Sequence, residues 1–200
     1  MELDYNQFKF IKNNEKTKVQ RLSDIVRYNS RSKITQENVA EHSFYVSIEA
    51  LKICNTLQLD NETKLKVIEQ AIVHDVPEGL VFDAPYDIKH GYPELPDLLQ
   101  KIEQTELSIH MPELTNTYND YVDAENNKEL SYYIVKLADT ISVLQYSFKE
   151  LELGNETKDM KDIYEDASER VCKYAEIISD MTGKNLYDLW LCYYRNWRWV

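Results

Sequence analysis

Every proline in this 200-residue chain lies between Pro77 and Pro112, and this distribution constrains the fold more than any other feature. Proline interrupts helices, and only four glycines are present to form the frequent tight turns that a β-sandwich or barrel needs. The residues on either side of the proline-containing stretch can therefore form long helices. We predict an all-α protein of about six to eight helices, in which an irregular middle separates two helical halves of one domain over residues 1–200.

The chain is strongly acidic, with 23 Lys and Arg against 35 Asp and Glu and a net charge of −12. Such a protein repels nucleic-acid polymers and anionic membrane surfaces, so we expect neither as a partner. Residues 1–33 are the exception, because they hold eight basic and four acidic side chains. If the protein binds an anion, this segment is where we expect the contact.

Three cysteines, Cys54, Cys172 and Cys192, form neither a metal-type pair nor an even disulfide framework. The first residues lack the apolar run of a signal peptide, and no stretch approaches the 18 apolar residues of a membrane span. We therefore expect a cytoplasmic protein.

Capping signals and apolar spacing predict where the helices lie. Asn38 followed three residues later by Glu41 resembles a capping box, and the helix that it begins runs toward Leu59. Asp60 can cap the next helix. Further segments with helical spacing are 19–28, 94–110, 128–153, 157–181 and 185–199, with a linker between the second and third of these.

The helix that Asp60 caps ends abruptly at Pro77, because proline disfavours the helical conformation of the residue before it. His74 and Asp75 therefore fall in its last turn, and Glu78 lies just beyond the break. An adjacent imidazole and carboxylate at the end of a buried helix are costly to desolvate without a partner. A divalent cation would satisfy both, although a core histidine hydrogen-bonded near the helix end is the alternative.

Two further residues strengthen the metal hypothesis. His42 lies on the preceding helix, and two antiparallel helices joined near Asp60 would bring His42 and His74 to similar heights. Asp139 is embedded in the apolar face of a later helix, where an unpaired carboxylate would be unfavourable. Together with Asp75 these residues would form a mixed nitrogen and oxygen site for one divalent ion of Co, Mn, Mg, Fe or Zn.

The order of the segments ENVAEHS, HDVPE and KLADT, with Arg27 before them, resembles the HD-domain metal-dependent phosphohydrolases, and within them the 5′-deoxynucleotidase group. The similarity covers about residues 21–176 and leaves the aromatic C-terminal helix, about 185–199, unmatched. It implies an all-helical HD domain around a metal site, usually as a homodimer or higher homo-oligomer.

The resemblance also implies roles for individual residues. His42, His74, Asp75 and Asp139 match the metal ligands of the family. The remaining matches are Glu78 for the catalytic carboxylate, Arg27 for the phosphate-binding arginine and Asp83 for the residue that contacts the sugar. Tyr28 stands where many bacterial members have tryptophan, so it could stack on a base or sugar in a different pocket.

Side-chain chemistry agrees with two of these roles. A carboxylate beside metal ligands, such as Glu78, can orient or deprotonate water or protonate a leaving oxygen. Arg27 offers a planar fork to phosphate, while Lys136, one helical turn before Asp139, could reach a phosphate or face solvent. For His90 and His110 we expect surface or loop positions rather than metal binding.

Three functions remain open from the sequence. The first is hydrolysis of deoxynucleoside 5′-monophosphates to a deoxynucleoside and phosphate. The second is release of triphosphate from a deoxynucleoside triphosphate, which Arg31 and Lys33 would favour if they pointed into the site. The third is a helical dimer that senses a nucleotide without catalysis, and Glu78 argues against it because a structural metal site needs no such carboxylate.

Overall fold

The structure, a computed structural model, describes residues 18–81 and 91–186. These ranges contain six α-helices and no β-strand, which confirms the all-α prediction. The helices are α1 (Val39–Thr56), α2 (Asn61–Val73), α3 (Leu95–His110), α4 (Pro112–Asn126), α5 (Leu130–Glu152) and α6 (Lys158–Thr182). Two short 3₁₀ helices, Val19–Ser23 and Val76–Gly79, precede α1 and follow α2.

The helix ends follow the capping signals of the sequence. Asn38 accepts a hydrogen bond from the backbone N–H of Glu41, and the Glu41 side chain accepts one from the Asn38 N–H, so the predicted capping box is confirmed. Asp60 caps α2 through the N–H of Thr63 at 2.9 Å. At the other end of the chain, Gly183 ends α6 with a φ of 66°, a conformation that glycine adopts without steric cost.

Helix α5 lies at the centre of the bundle and packs against α1, α2 and α6. Its predicted apolar face is buried at Ile134, Leu137, Ile141 and Leu144. Full burial of such side chains contributes about 1.5–3 kcal/mol each. The polar residues that α5 carries among these apolar side chains are therefore held in fixed positions.

One sequence prediction about the segment before α5 is wrong. The segment predicted as a linker between 110 and 128 is helix α4, which begins at Pro112. Proline is tolerated in the first turn of a helix because its missing N–H would have no partner there. The apolar face of α4 is formed mainly by Tyr118, Tyr121 and Val122, which polar neighbours made hard to recognise.

The helix predicted over residues 19–28 is limited to the 3₁₀ helix Val19–Ser23. The chain then turns, and Val26 pairs with Asn38 in an isolated antiparallel β-bridge. This pairing requires extended backbone, so a helix cannot continue through Val26. Residues 27–37 consequently form a loop whose two ends meet beside the start of α1; we call it the Arg27 loop.

Some predictions fall outside the described residues, namely Asp83, His90, Cys192 and nearly all of the C-terminal helix predicted over 185–199. Among the helices in the described ranges, none combines the length and the apolar character that crossing a membrane requires.

Candidate active site

The site is built from three helices whose ends and faces converge. α1 contributes His42 from its second turn, and α5 contributes Asp139 from its middle. α2 ends at Val73, His74 is its C-cap, and Asp75 follows with a φ of −109° before the 3₁₀ helix Val76–Gly79. His74 and Asp75 therefore lie at the helix end rather than in its last turn, because the chain leaves the α-helical path just before Pro77.

One carboxylate oxygen of Asp75 lies at the centre of the cluster. Its Oδ2 is 3.3 Å from Nε2 of His74, 3.5 Å from Nε2 of His42 and 3.6 Å from Nη1 of Arg27. The two imidazole rings are 5.7 Å apart between centroids. Ligand atoms of His42, His74 and Asp75 all lie within 4.8 Å of one another, so these three residues could hold a metal ion.

Asp139 joins the cluster from α5. Its Oδ1 is 3.1 Å from Nε2 of His42, and its Oδ2 is 3.3 Å from Nζ of Lys136. The two contacts use different oxygens of one carboxylate. A cation can therefore share the Asp139 carboxylate with Lys136.

Hydrogen bonds on the far side of each imidazole fix its orientation. Nδ1 of His74 donates to the carbonyl oxygen of Ala71 at 2.7 Å, so in the neutral ring the lone pair lies on Nε2. Nδ1 of His42 lies 3.1 Å from Oγ of Ser142. Both Nε2 atoms are buried and lack a well-oriented hydrogen bond within the described part of the chain. Two orphaned nitrogens facing two carboxylates match a divalent metal ion.

Burial and the neighbouring charges shift the pKa values of these groups in different directions. Burial, helped by the Arg27 guanidinium, lowers the pKa of His42 to about 4, so this ring is neutral as a metal ligand must be. Burial also disfavours the charged forms of Asp75 and of His74. Their mutual attraction outweighs it, lowering the pKa of Asp75 and raising that of His74.

Glu37 is a site residue that the sequence did not reveal. Its Oε2 is buried and lies 3.5 Å from Nε of Arg27 and 4.0 Å from Nδ1 of His42. Burial raises its pKa to about 7, against the effect of Arg27. No local pattern marks Glu37 as buried, because its position depends on the β-bridge between Val26 and Asn38.

Arg27 and Tyr28 enter the site from the Arg27 loop. The Arg27 N–H donates to the carbonyl oxygen of Glu37 at 2.9 Å, and its guanidinium reaches Asp75. Tyr28 has a φ of 54°, and its ring stacks on that of Tyr146 at 4.5 Å with an angle of 4° between the planes. The Arg27 guanidinium carbon lies 5.6 Å from the Tyr28 ring centre, so the two predicted substrate contacts are adjacent.

Glu78 lies on the 3₁₀ helix that follows Asp75, and its N–H donates to the Asp75 carbonyl oxygen at 3.1 Å. It is partly buried, one turn from the cluster. Asp83 lies outside the described residues, so its position relative to the cluster is not described.

Arg31 and Lys33, which would favour a triphosphate substrate if they pointed into the site, contact other protein groups. Arg31 pairs with Asp159 on α6 at 2.9 Å. Nζ of Lys33 donates to the carbonyl oxygens of Arg27 and Tyr28. His110 lies at the end of α3, 3.3 Å from Glu106, which agrees with the expected surface position.

A family model described as "5′-deoxynucleotidase YfbR-like" matches residues 16–181 of this chain. A 5′-deoxynucleotidase of Photobacterium profundum is 30% identical over 142 residues, which are 68% of this chain and 73% of that protein. A 5′-deoxynucleotidase of Vibrio vulnificus matches with the same identity and coverage.

Solved structures have the same fold. An HD-domain phosphohydrolase of Listeria innocua has a TM-score of 0.68 at 22% identity, covering 81% of this chain and 80% of that one. A cyanophage S-2L HD phosphohydrolase, bound to dA and one catalytic Zn²⁺ ion, has a TM-score of 0.59 at 21% identity, covering 77% and 80%. At these identities the likeness concerns the fold.

Proposed function

Because the chain belongs to the 5′-deoxynucleotidase YfbR-like family, we propose that it is a metal-dependent phosphohydrolase acting on deoxynucleotides. It hydrolyses deoxynucleoside 5′-monophosphates to a deoxynucleoside and phosphate. The observation that carries this proposal is the convergence of His42, His74 and Arg27 on one oxygen of Asp75. Nε2 atoms of the two histidine ligands and the guanidinium that binds the phosphate all lie within 3.6 Å of this oxygen.

His42, His74, Asp75 and Asp139 hold one divalent ion in this proposal. Their buried nitrogens and carboxylates accept Co, Mn, Mg, Fe or Zn, and the cyanophage phosphohydrolase, which has the same fold, binds Zn²⁺. Lewis-acid chemistry is what such an ion supplies when bound: it acidifies water and neutralises charge on the phosphate. Ser142 and the Ala71 carbonyl keep the two imidazoles turned toward the ion.

Arg27 and Lys136 bind the phosphate. The Arg27 guanidinium is held by Glu37 on one side and faces Asp75 on the other, so its planar fork can meet phosphate oxygens beside the metal ligands. Lys136 approaches from α5, next to Asp139. Two cations at the site offset the repulsion between an anionic substrate and a protein with a net charge of −12.

Glu78 moves the proton. Hydrolysis forms a bond between phosphorus and the oxygen of water and breaks the bond between phosphorus and the 5′ oxygen. Glu78 accepts the proton that the attacking water loses or donates one to the departing 5′ oxygen. Its place one 3₁₀ turn after Asp75 supports this role, because the turn holds it close to the ligands without making it one of them.

The nucleoside is bound by Tyr28 and Asp83. One face of the Tyr28 ring is stacked on Tyr146, so a base or sugar would stack on the opposite face. Asp83 follows the same 3₁₀ helix as Glu78 in the sequence, and its carboxylate suits a sugar hydroxyl.

The contacts that Arg31 and Lys33 make with other protein groups favour a monophosphate over a triphosphate as the substrate. Additional phosphates would require more cations near Arg27, yet Arg31 is paired with Asp159 and Lys33 is bound to backbone carbonyls. These contacts orient both side chains toward protein partners. Release of triphosphate from a deoxynucleoside triphosphate is therefore the second candidate activity.

A single substrate panel tests the proposal. The protein is stripped of metal with a chelator, reloaded separately with Mn, Co, Mg, Fe or Zn, and assayed for phosphate and triphosphate release from deoxynucleoside mono- and triphosphates. We expect metal-dependent phosphate release from monophosphates. Triphosphate release alone would support the second candidate, whereas inactivity with every metal and nucleotide, together with nucleotide binding, would support the non-catalytic sensor.

We also propose that the protein self-associates and works in the cytoplasm. One face of α1 exposes Phe44, Tyr45, Ile48 and Leu51, and a contiguous apolar face on a helix suits a second copy of the chain. Cys54 and Cys172 are free thiols, as is typical of a reducing compartment. Light scattering after size-exclusion chromatography tests the first point, and a Phe44→Glu variant that keeps the wild-type mass would exclude this face.

A further inference from the structure

Glu150, near the end of α5, is fully buried and accepts four hydrogen bonds. Its Oε1 accepts from the N–H and the hydroxyl of Thr35, both at 2.6 Å. Its Oε2 accepts from the N–H of Ile34 at 2.7 Å and from Nδ2 of Asn155 at 2.8 Å. Four donors saturate both oxygens of an ionised carboxylate, which can only accept. The pKa of Glu150 is lowered by these bonds despite its burial.

Three of the four bonds, from Ile34 and Thr35, fasten the far side of the Arg27 loop to α5. Asn155 extends the attachment, because its Nδ2 also donates to the carbonyl oxygen of Ser32 at 2.9 Å. The hydroxyl of Tyr146, one turn before Glu150 on α5, donates to the carbonyl oxygen of Thr35 at 2.9 Å. Tyr146 and Glu150 on α5 and Asn155 just after it thus hold residues 32–35.

The fastened residues lead directly back to Arg27 and Tyr28. Nζ of Lys33 donates to the Arg27 carbonyl oxygen at 3.2 Å and to that of Tyr28 at 2.9 Å. Tyr146 stacks on the Tyr28 ring while its hydroxyl holds Thr35. Tyr28 has a φ of 54°, a strained conformation for a residue other than glycine, which persists only where surrounding contacts enforce it.

The same helix carries Asp139 of the metal cluster, so α5 sets the distance between that cluster and the loop that presents Arg27. We propose that Glu150 is a positioning residue for phosphate recognition: through Ile34 and Thr35 it holds the Arg27 loop so that the guanidinium faces the metal ligands. This inference rests on the proposed function, in which Arg27 binds the phosphate. Glu150 does not itself touch the substrate.

The test replaces Glu150 with glutamine, alone and together with Arg27→Ala. The amide nitrogen of glutamine would face two of the four donors, so the loop loses hydrogen bonds while the shape of the side chain is kept. Two controls match this change. Ser147→Ala removes a buried hydroxyl of α5 that bonds only within the helix, and Asp60→Ala destabilises α2 by removing its N-cap far from the loop.

The variants are loaded with metal and compared by kcat/KM on a deoxynucleoside monophosphate, by metal content, and by hydrogen exchange of residues 27–37. We expect Glu150→Gln to lower kcat/KM by about 10- to 100-fold, as a misplaced binding group does. Metal content should stay unchanged, and the Ile34 and Thr35 amides should exchange faster. In the Arg27→Ala background the same substitution should change kcat/KM by less than about twofold, because coupled residues are not additive. Both controls should retain wild-type kcat/KM.

Two results would overturn the inference. One is that Glu150→Gln lowers kcat/KM equally in the wild type and in the Arg27→Ala variant. The other is that kcat/KM stays unchanged although the Ile34 and Thr35 amides of Glu150→Gln exchange faster. If Glu150→Gln does not fold, Tyr146→Phe replaces it, because this variant keeps the stacked ring and loses only the bond to Thr35. A loss of about threefold or more that disappears in the Arg27→Ala background supports the inference, and an unchanged kcat/KM refutes it. Inactivity of the wild type toward every monophosphate would instead defeat the proposed function.

Discussion

The Nε2 atom of His42 on α1 lies 3.1 Å from the Oδ1 atom of Asp139 on α5, where the imidazole is fully buried and the carboxylate is partly buried. In the tautomer protonated on Nδ1, a neutral His42 imidazole at this separation would direct its Nε2 lone pair at an ionised carboxylate. Such an arrangement is stabilised when a cation lies between them. The two residues, far apart in the sequence, thus connect α1 and α5 at the candidate metal site.

Removing one ligand should therefore release the metal. We expect His74→Ala and Asp139→Ala each to weaken metal binding by at least about tenfold, since even outer contacts of metal ligands have effects of that size. Elemental analysis of the purified variants measures the bound metal. His110→Ala is the control, because that histidine is exposed at the end of α3 and pairs there with Glu106. Full metal stoichiometry in both ligand variants would exclude this ligand set.

Arg27→Lys should lower kcat/KM by about tenfold or more. A bidentate contact with phosphate is worth about 1.5–3 kcal/mol, and a lysine point charge reproduces it poorly. Metal content and melting temperature should change little, because lysine keeps a positive charge beside Glu37 and Asp75 and none of the four ligands is replaced. Steady-state kinetics on the active nucleotides measure the effect, and unaltered kinetics would mean that the phosphate is bound elsewhere.

Glu78→Ala should lower kcat by about 10²–10⁴-fold while the protein keeps its metal, as expected for loss of a general acid or base. The measurement pairs kcat with elemental analysis of the same sample. Normal turnover would remove Glu78 from the mechanism, and loss of metal would make it a ligand instead.

Gly79→Ala should destabilise the protein by about 1–3 kcal/mol, because a methyl group there is forced into a packed contact. Its Cβ would lie 3.0 Å from the carbonyl oxygen of Lys18 and 3.2 Å from a methyl carbon of Leu22. Since Gly79 follows Glu78, kcat should fall as well. Gly91→Ala is the matched control, with no atom within 4 Å of its Cβ. Chemical denaturation measures the free energy of unfolding of both variants. Equal values would show that the 3₁₀ helix Val76–Gly79 shifts to accommodate the methyl group without cost.

The free energy of unfolding should depend on pH through Glu150. Hydrogen bonds lower its pKa in the folded state, so its stabilising contribution is fully present above the ordinary carboxyl range near pH 4.5 and is lost as the pH falls through the folded value. At pH 7 the free energy of unfolding of the wild type should exceed that of Glu150→Gln by about 1.5–3 kcal/mol. Denaturation curves from pH 7 to pH 3 should show this difference shrinking, and a constant difference would contradict it.

The sequence alone determined the helical class and most helix ends. Asn38, Asp60, Pro77 and Gly183 act on backbone groups within a few residues, so their effects can be predicted locally. The sequence also identified the residues of the cluster, because histidine and aspartate in apolar helices are conspicuous. Their roles, and the single domain over residues 1–200, stay predictions.

Only the tertiary structure decided which charges meet. Glu37 and Glu150 resemble ordinary surface acids in the sequence, yet Glu37 is buried at the end of the Arg27 loop and Glu150 is buried beside that loop. Arg31 and Lys33 were candidates for the site, but Arg31 pairs with Asp159 on α6 and Lys33 binds carbonyl oxygens within the folded loop. The physical reason is that hydrogen bonds and ion pairs between distant segments depend on how helices pack, and the Val26–Asn38 bridge and the position of α5 have no local signature.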